Sequence, residues 1–90
     1  MKKSLSIHIG GKVQGVFFRA SAKKMADELG IKGIIRNEPD GGVYVEAEAG
    51  EEDLSRFIDW CRHGPAHARV MTFVIAEQAE RAYVDFRIVR

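Results

Sequence analysis

Leu5, Ile7 and Ile9 alternate with Ser6 and His8, and this two-residue period predicts a strand with one buried face. Gly10 and Gly11 follow and are expected to loosen the chain before a new period begins. Ala22, Met25, Ala26 and Leu29 fall at i, i+3, i+4 and i+7, the apolar stripe of a helix over residues 19–29, with Gly30 as its stop. Residues 31–37, rich in isoleucine, predict a second strand. Pro39-Asp40-Gly41-Gly42 is a turn signal, and Val43, Val45 and Ala47 then alternate with Tyr44, Glu46 and Glu48. The two strands form a hairpin, with Glu46 and Glu48 on a polar face where solvated charges are expected. Leu54, Phe57, Ile58 and Cys61 form the stripe of a second helix. Glu51, Glu52 and Asp53 suit the positive end of its dipole, Arg62 and His63 suit the other end, and Gly64-Pro65 stops it. Trp60 lies off the stripe and is expected to cover a core edge. The apolar run over residues 70–76 predicts a fourth strand, and the alternation of Val84, Phe86 and Ile88 with Asp85, Arg87 and Val89 a fifth.

The predicted order is β-α-β-β-α-β with an additional C-terminal strand. It corresponds to an α+β, ferredoxin-like sandwich: two helices on one face of a mainly antiparallel sheet. No repeat, low-complexity stretch or long linker divides the chain, so residues 1–90 are expected to be a single domain. Many unrelated functions use this fold, and fold alone does not choose among them.

Composition narrows the classes. Hydrophobic residues make up 46% of the chain and charged residues 30%, both ordinary values for a globular protein. A formal net charge of +1 argues against bulk electrostatic binding to nucleic acid or an anionic membrane. The lone Cys61 cannot form an intramolecular disulfide, and no cysteine or histidine spacing suggests zinc. His8, His63 and His67 are scattered and read as surface or structural residues. Met1-Lys2-Lys3 has the charge of a signal sequence, but the segment after it is too short and polar for one. The expectation is a soluble, cytoplasmic, monomeric protein.

Chemistry concentrates at Gly11-Lys12-Val13-Gln14-Gly15-Val16-Phe17-Phe18-Arg19, between the first strand and the first helix. A glycine-containing turn that opens a helix presents free backbone N–H groups, and Arg19 adds a guanidinium fork beside them. Together these are the parts of a phosphate cradle. A cation at a helix N-terminus opposes the dipole unless an anion lies between them. Phe17 and Phe18 are weighed as base-stacking platforms for RNA. The simpler reading sends one into the core and packs the other against the loop. Asn37 is either a turn-initiating residue or an amide that both accepts from and donates to one water. Asp40 belongs to the turn. No Ser/His/Asp set or paired-acid metal motif is recognisable.

The cradle segment closely resembles the first signature of the acylphosphatase family, Gly-x-Val-Gln-Gly-Val-x-Phe/Tyr-Arg. Gly33-Ile34-Ile35-Arg36-Asn37-Glu38-Pro39-Asp40-Gly41-Gly42-Val43 resembles the second, Gly-x-Val-Arg-Asn-x-x-Asp-Gly-x-Val. The likeness extends over the whole chain. It departs at Ile34, where many members carry Trp and where a smaller patch beside the site is expected, at Ile35 in place of Val, and at Ala66 in place of a second Pro. The resemblance implies hydrolysis of an acyl phosphate to a carboxylate and inorganic phosphate, without metal or cofactor. It implies phosphate binding by Arg19 and by the backbone amides of Gln14, Gly15, Val16, Phe17 and Phe18, and a water positioned by Asn37. A non-catalytic anion-binding or regulatory module on the same fold is the alternative. RNA binding is a more distant one.

Overall fold

Residues 2–90 are described by the computed structural model, and Met1 of the N-terminal basic cluster lies outside them. Strands β1 (Lys2–Lys12), β2 (Lys32–Asn37), β3 (Val43–Gly50), β4 (Arg69–Gln78) and β5 (Phe86–Ile88) alternate with helices α1 (Phe18–Leu29) and α2 (Glu51–His63) in the predicted order. The sheet runs β4-β1-β3-β2-β5. Strand β1 is antiparallel to β3 and β4, β2 is antiparallel to β3, and β2 and β5 are parallel. Helix α1 lies over β2 and β5, α2 lies over β3 and β4, and the two helices touch. None of the described helices is long and apolar enough to cross a membrane.

The two apolar stripes are where the periodicity places them. Ala22 and Ala26 of α1 and Leu54, Phe57 and Cys61 of α2 are buried, with Met25, Leu29 and Ile58 packed around them. They meet Ile7, Ile9, Ile35, Val43, Val45 and Ala47 from one face of the sheet. Trp60 does cover a core edge, its ring 5.6 Å from that of Phe18 in an edge-on contact. The turn after β2 forms as read: Asp40 Oδ1 accepts from the Gly42 N–H at 2.8 Å, and the Gly41 N–H donates to the Glu38 carbonyl.

Three expectations change. Gly10 and Gly11 do not end β1; the strand runs on to Lys12 through a register shift against β4 between them. Gly11 has φ 124°, and a Cβ there would sit 2.2 Å from the Arg69 carbonyl oxygen, so the glycine permits a bulge rather than a break. Strand β5 is shorter than the alternation suggests: Phe86 is buried, whereas Val84 is 80% and Ile88 41% exposed. A three-residue edge strand covers too little of the sheet to bury all three.

The third change concerns Glu46 and Glu48, which are buried rather than solvated. The segment between β4 and β5 crosses their face. Glu48 accepts from the main-chain N–H groups of Arg81 and Tyr83 and from the Ser4 hydroxyl. Glu46 accepts from the hydroxyls of Tyr44 and Tyr83, and the Arg81 guanidinium lies 3.2 Å away. Burial pushes both carboxyls up, but these donors outweigh it, and both groups titrate below the ordinary 4.5. Burial and the neighbouring Glu46 carboxylate push Tyr44 and Tyr83 up to about 12.

Candidate active site

Strands β2 and β5 run in the same direction, and Asn37 and Ile88 stand at their C-terminal ends. The N-terminus of α1 lies at that end of the sheet. A pocket of about 350 Å³ opens between them, lined by Val13, Gln14, Gly15, Phe17, Phe18, Arg19, Ala20, Asn37 and Ile88. Two sequence segments some twenty residues apart thus share one cavity. Val16 is absent from the lining because its side chain turns into the core.

The start of α1 is built to leave donors free. The residue before the helix, Phe17, has φ 64° and ψ 24°, and no side chain caps the helix. Its first main-chain bond runs from the Ser21 N–H to the Phe17 carbonyl, 3.0 Å. The N–H groups of Phe18, Arg19 and Ala20 therefore have no intrahelical acceptor, and all three residues line the pocket. Gly15 has φ 73°, which lets the loop turn its backbone toward the same space. No acidic residue occupies the first turn of α1, whereas α2 has Glu51, Glu52 and Asp53 there. The half-buried Arg19 has no ion-pair partner among the described residues. Uncapped donors and an unpaired guanidinium make the end of the pocket strongly electropositive.

Asn37 closes the other side. It pairs with Val43 across the β2–β3 ladder, which fixes its backbone. Its Oδ1 is buried and has no hydrogen-bond partner among the described residues. A buried acceptor left unpaired costs roughly 1–3 kcal/mol, so this oxygen is an open position for a donor. Arg36, one residue earlier, points to the opposite face, where its guanidinium sits 4.6 Å from the Tyr44 ring centroid. Ile34 shares that face by strand alternation and is absent from the lining, so it is not the patch beside the site that the motif comparison suggests.

Sequence reasoning missed three features. Gln14 was singled out for its backbone, yet its side-chain amide donates to the carbonyls of Glu38 and Gly42 at 2.8 and 2.9 Å. It ties the loop to the turn that follows Asn37. Ala20 also joins the lining, and the rule that a helix leaves its first four N–H groups, here those of Phe17 to Ala20, without intrahelical acceptors is the signal that finds it. Ile88, given by the sequence only as an alternating position of the fifth strand, stands at the rim. The aromatic pair splits as expected only in part: Phe18 enters the core, but Phe17 is 78% exposed rather than packed on its loop.

The family profile described as Acylphosphatase matches residues 5–88. An acylphosphatase from Methylococcus capsulatus is 40% identical over 89 residues, spanning 98% of this chain and 97% of that protein. Among solved structures, an acylphosphatase from Bacillus subtilis superposes with a TM-score of 0.95 at 30% identity, with each chain fully covered. One from Coxiella burnetii gives 0.93 at 33% identity, over 98% of this chain and 93% of that one. A match over nearly the whole length, in sequence and in fold, means that this chain belongs to the acylphosphatase family.

Proposed function

We propose that the pocket at the start of α1 hydrolyses acyl phosphates, with Arg19 and the loop amides holding the phosphoryl group and Asn37 placing the attacking water. Family membership supplies the reaction: a small-molecule acyl phosphate is split at its carboxyl–phosphate bond. The observation that carries the division of roles is the unpaired, buried Oδ1 of Asn37, a residue that shares its pocket with the unpaired Arg19.

The chemistry suits these groups. The leaving group is a carboxylate, already a weak base, and needs no strong general acid. The work that remains is to hold the phosphoryl group, balance its charge and bring water in line. Backbone N–H groups of Gln14, Gly15, Val16, Phe17 and Phe18, with those of Arg19 and Ala20, are candidates to meet charge on the equatorial oxygens without reorganising. Arg19 grips two oxygens through its fork. The water donates one O–H to Asn37 Oδ1, and its oxygen attacks phosphorus. The bond from phosphorus to the acyl oxygen breaks, and the carboxylate leaves with the electron pair. The water's proton passes to a phosphoryl oxygen of the substrate, giving inorganic phosphate, because no carboxylate, imidazole or amine among the described residues lines the pocket to take it.

Hydrolysis of benzoyl phosphate by the wild type and by Arg19→Ala tests the proposal. Turnover by the wild type that Arg19→Ala loses, with the fold retained by circular dichroism, is the expected result. Phosphate binding without turnover in the wild type would favour a non-catalytic anion site. Turnover is also expected to persist in excess chelator.

A further inference from the structure

The lining of the pocket is divided. Arg19, Asn37 and the free N–H groups supply its polar part, while Phe17 and Ile88 contribute two large apolar side chains that both remain exposed, at 78% and 41%. We propose that Phe17 and Ile88 form a subsite for the acyl group, and that the enzyme prefers acyl phosphates with an aromatic or bulky apolar acyl moiety over acetyl phosphate. This rests on the reading of the pocket as an acyl phosphate site.

Three observations carry it. The first is the backbone of Phe17. A bulky residue at φ 64° is uncommon, because its Cβ crowds the following carbonyl. Glycine or asparagine would meet that conformation at less cost. Phe17 nevertheless occupies it, and its ring gains no core packing in return. Such a combination at a pocket mouth is expected where the ring has a ligand to cover.

The second is the placement of Ile88. It pairs with Ile35 in the parallel β2–β5 ladder, and the Val89 N–H donates to the Ile35 carbonyl at 2.9 Å. Strand alternation therefore puts Ile88 on the face of Phe86 and Ile35, the face that also bears Asn37. Strand β5 thus carries an apolar side chain past the end of the core and beside the water-handling residue.

The third is size. The pocket of about 350 Å³ is far larger than one phosphoryl group needs, given about 30 Å³ for each water it displaces. A carboxyl-linked apolar group would occupy the remainder and cover the ring of Phe17 and the branch of Ile88.

The test compares kcat/KM for benzoyl and acetyl phosphate in the wild type, Phe17→Asn and Ile88→Ser. Asparagine tolerates the left-handed conformation, so Phe17→Asn removes the ring while keeping the backbone. Comparing the benzoyl-to-acetyl ratio between proteins cancels the intrinsic reactivity of the two substrates. The ratio should fall about tenfold in Phe17→Asn and several-fold in Ile88→Ser, mainly through KM for benzoyl phosphate. An unchanged ratio, or equal losses on both substrates, overturns the subsite. Competitive binding of benzylphosphonate against inorganic phosphate separates this from the catalytic reading. A protein that turns over neither substrate, yet prefers benzylphosphonate and loses that preference in both variants, keeps the subsite and refutes the hydrolase.

Discussion

Gln14 donates its side-chain amide to the carbonyl oxygen of Glu38 at 2.8 Å, across 24 residues of sequence. The same nitrogen reaches the Gly42 carbonyl, so one side chain holds both ends of the turn after β2. The loop that precedes Arg19 and the strand that ends in Asn37 are thereby kept in register. Gln14→Leu removes both bonds while preserving much of the volume. It should lower kcat by about 10²-fold, since small misplacements of reacting groups are that costly. Stability should fall by about 1–3 kcal/mol. Steady-state kinetics beside denaturant unfolding would check this; a stability loss with unchanged kcat would mean that the tie does not register the site.

Arg19→Ala should lower kcat/KM by about 10³-fold or more, the scale on which a guanidinium stabilises phosphoryl transfer. Arg19→Lys should rescue little, because an ammonium supplies charge without the fork. Near-wild-type turnover in Arg19→Lys would show that charge alone suffices.

Asn37→Ala should separate turnover from phosphate grip. We expect kcat to fall about 10²-fold while the inhibition constant of inorganic phosphate changes by less than about threefold. Comparable losses in both would place Asn37 in phosphate binding instead. The substitution also removes a buried unpaired oxygen, so Asn37→Ala should unfold at a temperature no lower than the wild type.

The Glu46–Glu48 cluster makes stability fall at both ends of the pH scale. The folded-state carboxyls titrate below 4.5, so their contribution is complete above that value and is lost as pH falls through the depressed folded values. The tyrosine hydroxyls work in the opposite sense. Tyr44 and Tyr83 stay protonated up to about 12 in the folded state against 10.0 when free, so their contribution is complete below 10 and is lost as pH rises toward 12. Absorbance titration should find both tyrosines ionising near 12, and Tyr83→Phe should flatten the alkaline decline measured by urea unfolding. Ionisation of both near 10 would contradict the arrangement.

Local features were legible in the chain, and features made by distant coverage were not. The stripes of α1 and α2 and the Asp40 turn need only their own residues, and each stands where its pattern puts it. Arg19 stands out in the sequence by a broken local rule, a cation at a positive helix end; Asn37 taken alone reads also as a turn residue, and only the resemblance of its motif marks it for the water. Glu46 and Glu48 were misread because alternation reveals that they share a face but not that residues 79–83 cross it. Val84 and Ile88 share the alternation of Phe86 yet stay exposed for the converse reason, since a strand's period does not reveal that it lies at a sheet edge. The Gln14 tie leaves no periodic trace, because its acceptors are backbone carbonyls.

Cys61, fully buried on the inner stripe of α2 and outside the pocket lining, has a thiol pushed well up by burial alone. The thiolate that alkylating reagents and peroxides attack is therefore scarce in the native molecule. Labelling of this single thiol should wait for the core to open, and its rate reads how often the fold breathes. Any inactivation by thiol reagents should keep time with that opening rather than with reagent binding at the pocket.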